Sequence, residues 1–480
     1  MVIIHGMSYL YGSLRRLGPL FFVSVLVFSA CKKDRTEADK EALLKDSVYL
    51  YTKEVYLWQE VLPANFHARS YSAAEDVLEA LKACKRDENG KAVDRYSFLD
   101  RAGAVSEEIE DGVQTDFGFD VRYQNGTDLR IKYVYEGSPA WKAGIRRGWR
   151  IVKINGNANI GADLLKVNDY RFLFQALAAD HISLTFQGGD GAQLEMRLDK
   201  SRYAINPVLC TRVFEKAGRK VGYFAYNSFV APYKEQTPTT AKTKIDEVFR
   251  YFQEEGVSEL IVDLRYNGGG SVSAAEYLTN LLVPSGNNGK IMYSYRLNPT
   301  LTSYTRKDES WKKAFQTVMV NKTNGTYYPV KVYFIVTKST ASASELLINN
   351  LKPYIDVILI GSDFTYGKPV GFFPISILNT DLYAVSFETL NSKGEGEYYG
   401  GLRTDKVQAE DLTRDWGDER ESCLAQALFH VQYGTFKNEA AAVAGRSRTG
   451  PAAAGIYNIF LDRRGNKNMY MLDKGLRVPR

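Results

Sequence analysis

Histidine and cysteine are scarce in this 480-residue chain, four of each. The histidines are His5, His67, His181 and His430, none beside a carboxylate or a cysteine in sequence, so a metal centre has little to be built from. Cys31, Cys84, Cys210 and Cys423 show no CxxC spacing, which argues against a zinc site and a disulfide framework. One bridge has the material, but free buried thiols are the expectation after Cys31. Charge of one sign is missing too: 62 Lys and Arg against 56 Asp and Glu leave +6, with no basic block interleaved with aromatics. Nucleic acid is thereby disfavoured as a partner. No GxGxxG occurs, so a dinucleotide fingerprint is out, and the sequence shows no internal repeat. Nothing here calls for a metal or an organic cofactor.

The N-terminus carries a clear pattern. Arg15-Arg16 precede the apolar stretch Leu20 to Phe28, followed by Ser29-Ala30-Cys31. A span needs about 20 apolar residues, and this stretch is shorter, as a secretory signal is. The small residues before Cys31 resemble a bacterial lipoprotein cleavage site. On that resemblance, residues 1–30 are the signal, Cys31 carries the lipid, and the charged run from Lys32 to Glu37 is a polar tether. The lipid anchor would hold the protein at a membrane of the bacterial cell envelope, facing the periplasm or the surface. An ordinary signal peptide with an incidental cysteine, or an anchor helix, are the alternatives.

Composition and periodicity divide the rest, which exceeds what one core usually holds. Residues 31–112 read as a helical N-terminal region: Leu44, Val48, Tyr51, Val55, Trp58 and Leu62 follow a 3.6 period. No chemistry is assigned to it. Residues 113–202 alternate as half-buried strands do, with Leu129 to Val134 and the turn Asn155-Gly156 as the strongest signals. A helix is expected over 163–179. Residues 203–440 alternate strand and helix, which predicts an α/β domain with a largely parallel sheet. Within it, the turn-rich segment 284–330 is expected to form surface hairpins. Residues 441–480 read as a tail, with a terminal hairpin expected between Ile456 and Met471. The fold class is therefore multidomain α/β: a helical N-terminal region, a β-rich middle domain and an α/β core.

Two short segments carry the chemistry. The apolar run Val332 to Val336 leads into Ser339-Thr340-Ala341-Ser342-Ala343-Ser344-Glu345, which opens a helical pattern. A hydroxyl on a strand-to-helix turn is where an α/β protein presents a nucleophile, since a helix N-terminus offers partial positive charge and free N–H groups. A second strand pattern, Val357 to Gly361, leads to Thr365-Tyr366-Gly367-Lys368. A lysine there can serve as a base if burial lowers its pKa from about 10.4. Together these runs resemble the C-terminal processing (tail-specific) peptidases, serine peptidases with a Ser-Lys pair and a PDZ module. The resemblance spans roughly residues 115 to 435.

It implies that Ser342, the first serine of Ser-Ala-Ser-Glu, is the nucleophile ahead of Ser339 and Ser344, and that Lys368 is the base. Glu345 is either an orienting carboxylate of the site or a helix cap. Oxyanion donors are expected from the N–H of Ala343 and of one glycine in Asn267-Gly268-Gly269-Gly270, with Gly269 chosen. Phe117-Gly118-Phe119 resembles the PDZ loop that binds a peptide carboxylate through backbone N–H groups, making peptides or unstructured protein ends the expected partners. One position departs from many bacterial relatives: Phe372 stands where they have a glutamine four residues after the lysine. Ser310-Trp311-Lys312-Lys313 is a formal SxxK without a downstream Lys-Thr-Gly, and reads as chance. His181 and His430 read as structural, and Arg265 as the partner of a carboxylate within the fold. A serine endopeptidase of the envelope is the expectation. An inactive peptide-binding lipoprotein and an assembly protein of the envelope are the alternatives.

Overall fold

The computed structural model describes residues 36–101, 103, 105–322, 327–437, 469 and 470; the apolar N-terminal stretch and Cys31 lie outside them. Two helices come first, α1 (Glu37–Val55) and α2 (Ala74–Lys82). Thr36 caps α1, its hydroxyl accepting from the Asp39 N–H at 3.1 Å while the Asp39 carboxylate accepts from the Thr36 N–H at 3.2 Å. The 3.6 period holds only to Val55; Trp58 precedes a single separate turn at Gln59–Val61. Leu44, Val48 and Val55 of α1, with Val77, Leu78 and Leu81 of α2, join the apolar cluster of the third domain. The helical region therefore forms part of that domain's cover.

The middle domain is an antiparallel sheet of five strands in sequential order: β1 (Phe119–Asn125), β2 (Asp128–Val134), β3 (Arg150–Ile154), β4 (His181–Gln187) and β5 (Gln193–Asp199). Phe119, Val121, Tyr123, Leu129 and Ile131 alternate into its core, the period-2 pattern read from the sequence. The helix expected over 163–179 is two pieces, α3 (Ala162–Lys166) and α4 (Arg171–Ala178). Asp169 and Tyr170 between them have φ of 48° and 58°, and two consecutive left-handed residues cannot continue a right-handed helix.

The third domain is built on a six-stranded sheet with β6 (Val208–Lys216), β7 (Arg219–Tyr226), β8 (Glu259–Asp263), β9 (Lys331–Val336), β10 (Asp356–Gly361) and β11 (Lys406–Val407) side by side in that order. β6 pairs antiparallel with β7; every other pair is parallel. Both faces are covered, which is why these strands read as nearly unbroken apolar runs. Phe224, Leu260, Val262, Val332, Phe334 and Leu359 face the larger cluster, while Tyr223, Ile261, Tyr333, Ile335, Ile358 and Ile360 face Leu424, Ala427 and Val431 of the helix Ser422–Tyr433. The expected α/β core with a largely parallel sheet is present.

Segment 284–330 departs from expectation. After the strand Ile291–Leu297 come two helices, Pro299–Lys307 and Glu309–Ala314, where hairpins were expected. Asn298 and Asp308 cap them, with Leu301 N–H bonded to Asn298 Oδ1 at 2.7 Å and Pro299 at the first helical position. The cap signals outweigh the glycines and asparagines that suggested turns. Cys84, Cys210 and Cys423 are free thiols; only Cys423 is fully buried, the other two being half-buried. Of the expected terminal hairpin, only Met469–Tyr470 lies within the described residues, as a two-residue strand. No helix of the described residues is long and apolar enough to cross a membrane.

Candidate active site

The turn after β9 is fastened before it reaches Ser342. Thr340 Oγ1 accepts from the Thr337 N–H at 2.9 Å and donates to the Leu264 carbonyl at 2.8 Å, and Ala341 N–H reaches the Asn267 carbonyl at 3.1 Å. Ser342 then adopts φ 62° and ψ −113° and gives way to the helix Ala343–Leu351. Such a backbone costs a residue with a Cβ about 1–3 kcal/mol and persists only where its surroundings enforce it. Ser342 is fully buried, and its Oγ has no hydrogen-bond partner among the described residues. Ser344 is otherwise engaged, donating to the Asn267 carbonyl at 3.1 Å, and Ser339 N–H bonds Thr337 Oγ1. Ala343 N–H stands at the first helical position, where no intrahelical acceptor exists. An unmatched buried hydroxyl costs about 1–3 kcal/mol. Ser342→Ala is therefore expected to raise the melting temperature above that of the wild type; a fall would mean the hydroxyl has a partner in solution.

Glu345 ties the serine turn to the lysine turn. Its Oε2 accepts from the Ser342 N–H at 2.9 Å and from the Lys368 N–H at 2.8 Å; its Oε1 accepts from the Gly367 N–H at 2.7 Å and from Thr365 Oγ1. The contact that caps the helix and the tie to the lysine turn are thus one arrangement. Burial pushes this carboxyl above its ordinary value, and the four donors pull against that rise without cancelling it. None of the three N–H groups can accept a proton, so the ionised form is the one this nest of donors fits.

Lys368 is fully buried. Its ammonium lies 3.7 Å from the centre of the Phe372 ring and 5.5 Å from that of Tyr96. Phe372 therefore fills the place beside the lysine with an apolar face. Burial drives the amine well below the ordinary lysine range, with Asp94 and Glu345 opposing it. Tyr96 comes from the N-terminal region and is locked there by its hydroxyl on the Gly367 carbonyl at 2.6 Å, while Arg95 Nη2 reaches the Tyr366 carbonyl at 2.7 Å. The region to which the sequence assigned no chemistry thus contributes Asp94, Arg95 and Tyr96 to the lysine's surroundings.

The glycine turn after β8 corrects one expectation. Gly269 N–H is already given to Asn267 Oδ1 at 2.9 Å, so it is not an open donor. Phe229 N–H takes the Gly269 carbonyl at 3.0 Å and Ser271 N–H takes the Phe229 carbonyl at 2.7 Å. A trans peptide points its N–H opposite to its carbonyl. The N–H and carbonyl of Gly270 therefore both face away from Phe229. Gly270 has φ 139°, and a Cβ there would sit 2.3 Å from the Phe229 carbonyl oxygen, so no other residue fits. Ser271 also walls a cleft of about 820 Å³ with Glu276, Tyr295 and Met319.

A buried charge cluster joins this turn to the middle domain. Glu410 meets Arg122 at 2.9 Å and Arg147 at 3.4 Å from that domain, Arg265 at 3.6 Å, and the Tyr266 hydroxyl. Burial alone would raise its carboxyl, but Arg122, Arg147 and Arg265 outweigh it and hold it at about 2. Arg265 also grips Asp263 at 2.7 Å and Glu421 at 2.9 Å, the structural role read for it. In the middle domain, Phe117 and Phe119 are buried core rings. Gly118 N–H is spent on Asp116 Oδ1 at 2.6 Å, while its carbonyl accepts from Tyr135 at 2.8 Å on the β2 side. By the same trans-peptide geometry, Phe119 N–H faces the outer edge of β1, the end strand of its sheet. His181 is an exposed strand residue, His430 pairs with the Tyr333 hydroxyl at 3.1 Å, and Ser310 N–H serves the cap at Asp308. None of the three touches Ser342.

Three family models match the chain: peptidase family S41 over residues 220–395, a PDZ domain over 130–188, and the peptidase S41 N-terminal domain over 33–98. A chloroplastic C-terminal processing peptidase of Tetradesmus obliquus is 26% identical over 348 residues, 70% of this chain and 66% of that protein. The carboxy-terminal processing protease CtpB of Bacillus subtilis is 26% identical over 280 residues, 57% of this chain and 51% of its own length. The chain thus spans about half to two thirds of these relatives. Among solved structures, a putative S41 protease from Bacteroides fragilis superposes with a TM-score of 0.62 at 24% identity, covering 81% of this chain and 97% of that one. That likeness is one of fold.

Proposed function

Because this chain belongs to peptidase family S41, we propose that it is a serine endopeptidase that cuts protein substrates offered by their C-terminal or unstructured ends. One observation carries the reading: a buried serine hydroxyl without a partner, on a strained turn, tied through one carboxylate to the turn of a buried lysine. In the reaction, neutral Lys368 takes the proton of Ser342 Oγ as that oxygen bonds to the scissile carbonyl carbon. The carbonyl oxygen becomes an oxyanion, for which Ala343 N–H and Gly270 N–H are the donors, Gly270 replacing Gly269 for the reason given above. The C–N bond then breaks, and the protonated lysine gives its proton to the departing amine. Water, deprotonated by the same lysine, releases the acyl group and restores the serine. Glu345 acts through both turns as a positioning residue.

The PDZ groove is the proposed capture site for the substrate's end. Peptides add to sheet edges as extra strands, and β1 offers such an edge with Phe119 N–H pointing outward. The pattern Ser29-Ala30-Cys31 supports a lipid anchor and an envelope location. The test is proteolysis of an unfolded model protein by the purified chain beside its Ser342→Ala twin. Cleavage by the wild type alone is the expected result; equal cleavage by both would discard Ser342 as nucleophile, and none by either would favour a peptide-binding protein without activity.

A further inference from the structure

The strand Met469–Tyr470 does not pair with its neighbours in sequence. It pairs in parallel with Gly270–Ser271, Met469 opposite Gly270 and Tyr470 opposite Ser271. Its other neighbour is the short strand Val370–Gly371, which begins two residues after Lys368. A stretch of the chain's own backbone thus lies between the glycine turn and the lysine loop.

Polarity at the glycine turn gives this position its meaning. Phe229 already takes the Gly269 carbonyl and the Ser271 N–H, so Gly270 turns its own N–H and carbonyl to the opposite side. That is the side on which Met469–Tyr470 lies. A substrate backbone entering between Ser342 and this turn would need the same two groups. We propose that the Gly270 edge is a binding site for an extended peptide main chain, and that the strand Met469–Tyr470 is its resident ligand, seated in cis where a substrate strand must go. The proposal rests on the peptidase reading. An occupant on the same chain is presented at an effective concentration of about millimolar, so even a weak strand pairing competes with substrate.

Proline at both positions removes the two N–H groups and cannot continue a ladder. In the full chain, Met469→Pro with Tyr470→Pro is expected to lower KM for an unfolded protein at unchanged kcat, by roughly tenfold if the strand is seated nine times in ten. A synthetic peptide of residues 465–474, added to the double variant, should restore the higher KM competitively, and its diproline counterpart should not. Equal KM in the two proteins, or a peptide without effect, overturns the proposal. A KM of the unmodified chain that climbs with enzyme concentration would place a second copy's strand there and overturn the cis arrangement. If neither protein cleaves anything, the peptidase reading fails on its own. Fluorescence anisotropy of the labelled peptide then decides: binding to the diproline protein but not to the unmodified chain supports the site, and equal or absent binding rejects it.

Discussion

Replacing Lys368 with methionine is expected to lower kcat by roughly 10²–10⁴-fold, the usual worth of a positioned base, and to make the protein more stable at neutral pH. Methionine matches the lysine stem in length and carries no charge to bury. The amine is fully buried, and burial lowers its pKa well below the ordinary range against the opposing pull of Asp94 and Glu345. In the unfolded chain it stays protonated up to about pH 10.4. Between the lowered folded value and that limit, the unfolded state binds one proton more than the folded state. Wild-type stability therefore rises with pH in this window, by about 1.4 kcal/mol per unit at most, and the penalty vanishes above it. The methionine variant lacks this slope. Urea unfolding at several pH values should show its advantage shrinking steadily towards pH 10. A gap that does not change with pH would mean that the folded lysine is charged, and a charged lysine cannot be the base. In the proposed mechanism the same proton sets the rate: kcat/KM of the wild type should fall on the acid side as Lys368 becomes protonated.

Glu345→Gln should injure both stability and rate. Four donors converge on two carboxylate oxygens, two on each. A glutamine offers one acceptor oxygen and an NH₂; with the NH₂ on the Oε1 side the Thr365 hydroxyl can turn to accept from it, and the Gly367 N–H is left facing another donor. Such an orphaned group costs about 1–3 kcal/mol, which is the loss of stability expected. Lost stability alone would leave the enzyme that remains folded unchanged. The turns of Ser342 and Lys368 are instead expected to separate, lowering kcat more than KM at temperatures well below melting. A pH profile distinguishes the two cases further. The carboxylate raises the lysine pKa, so its removal should move the acid limb of kcat/KM to lower pH. An unshifted limb would reduce Glu345 to a helix cap.

How much of this could be read along the chain depends on how local each cause is. The sheet was legible because strands covered on both faces become unbroken apolar runs, as in Val332–Val336 and Leu260–Val262. Ser342, Glu345 and Lys368 stood out through short motifs on strand-to-turn junctions, and the structure brings them together. The choice within the glycines was not legible. It turns on which side Phe229 takes, and Phe229 is some forty residues away in sequence. Tyr96 left no signal, since its part at Lys368 comes from a contact 271 residues distant. The break at Asp169-Tyr170 escaped because Asp169, a type that tolerates the left-handed region, was the one signal there, and the type of Tyr170 gives none. The helices of segment 284–330 could have been found: Asn298-Pro299 is a cap followed by a helix-starting proline, and composition drowned it.

Glu410 bears on ancestry. This carboxylate answers to two guanidinium groups of the PDZ domain and to Arg265 and Tyr266, which lead directly into the glycine turn. On a linear map the domain looks like an interchangeable bead. Cut it out, and a carboxylate whose charge was matched by three arginines keeps only one, at the threshold of the glycine turn. A lineage that shed or swapped its PDZ module would have to rewrite position 410 in the same step, which makes inheritance of the two parts as a unit the easier course.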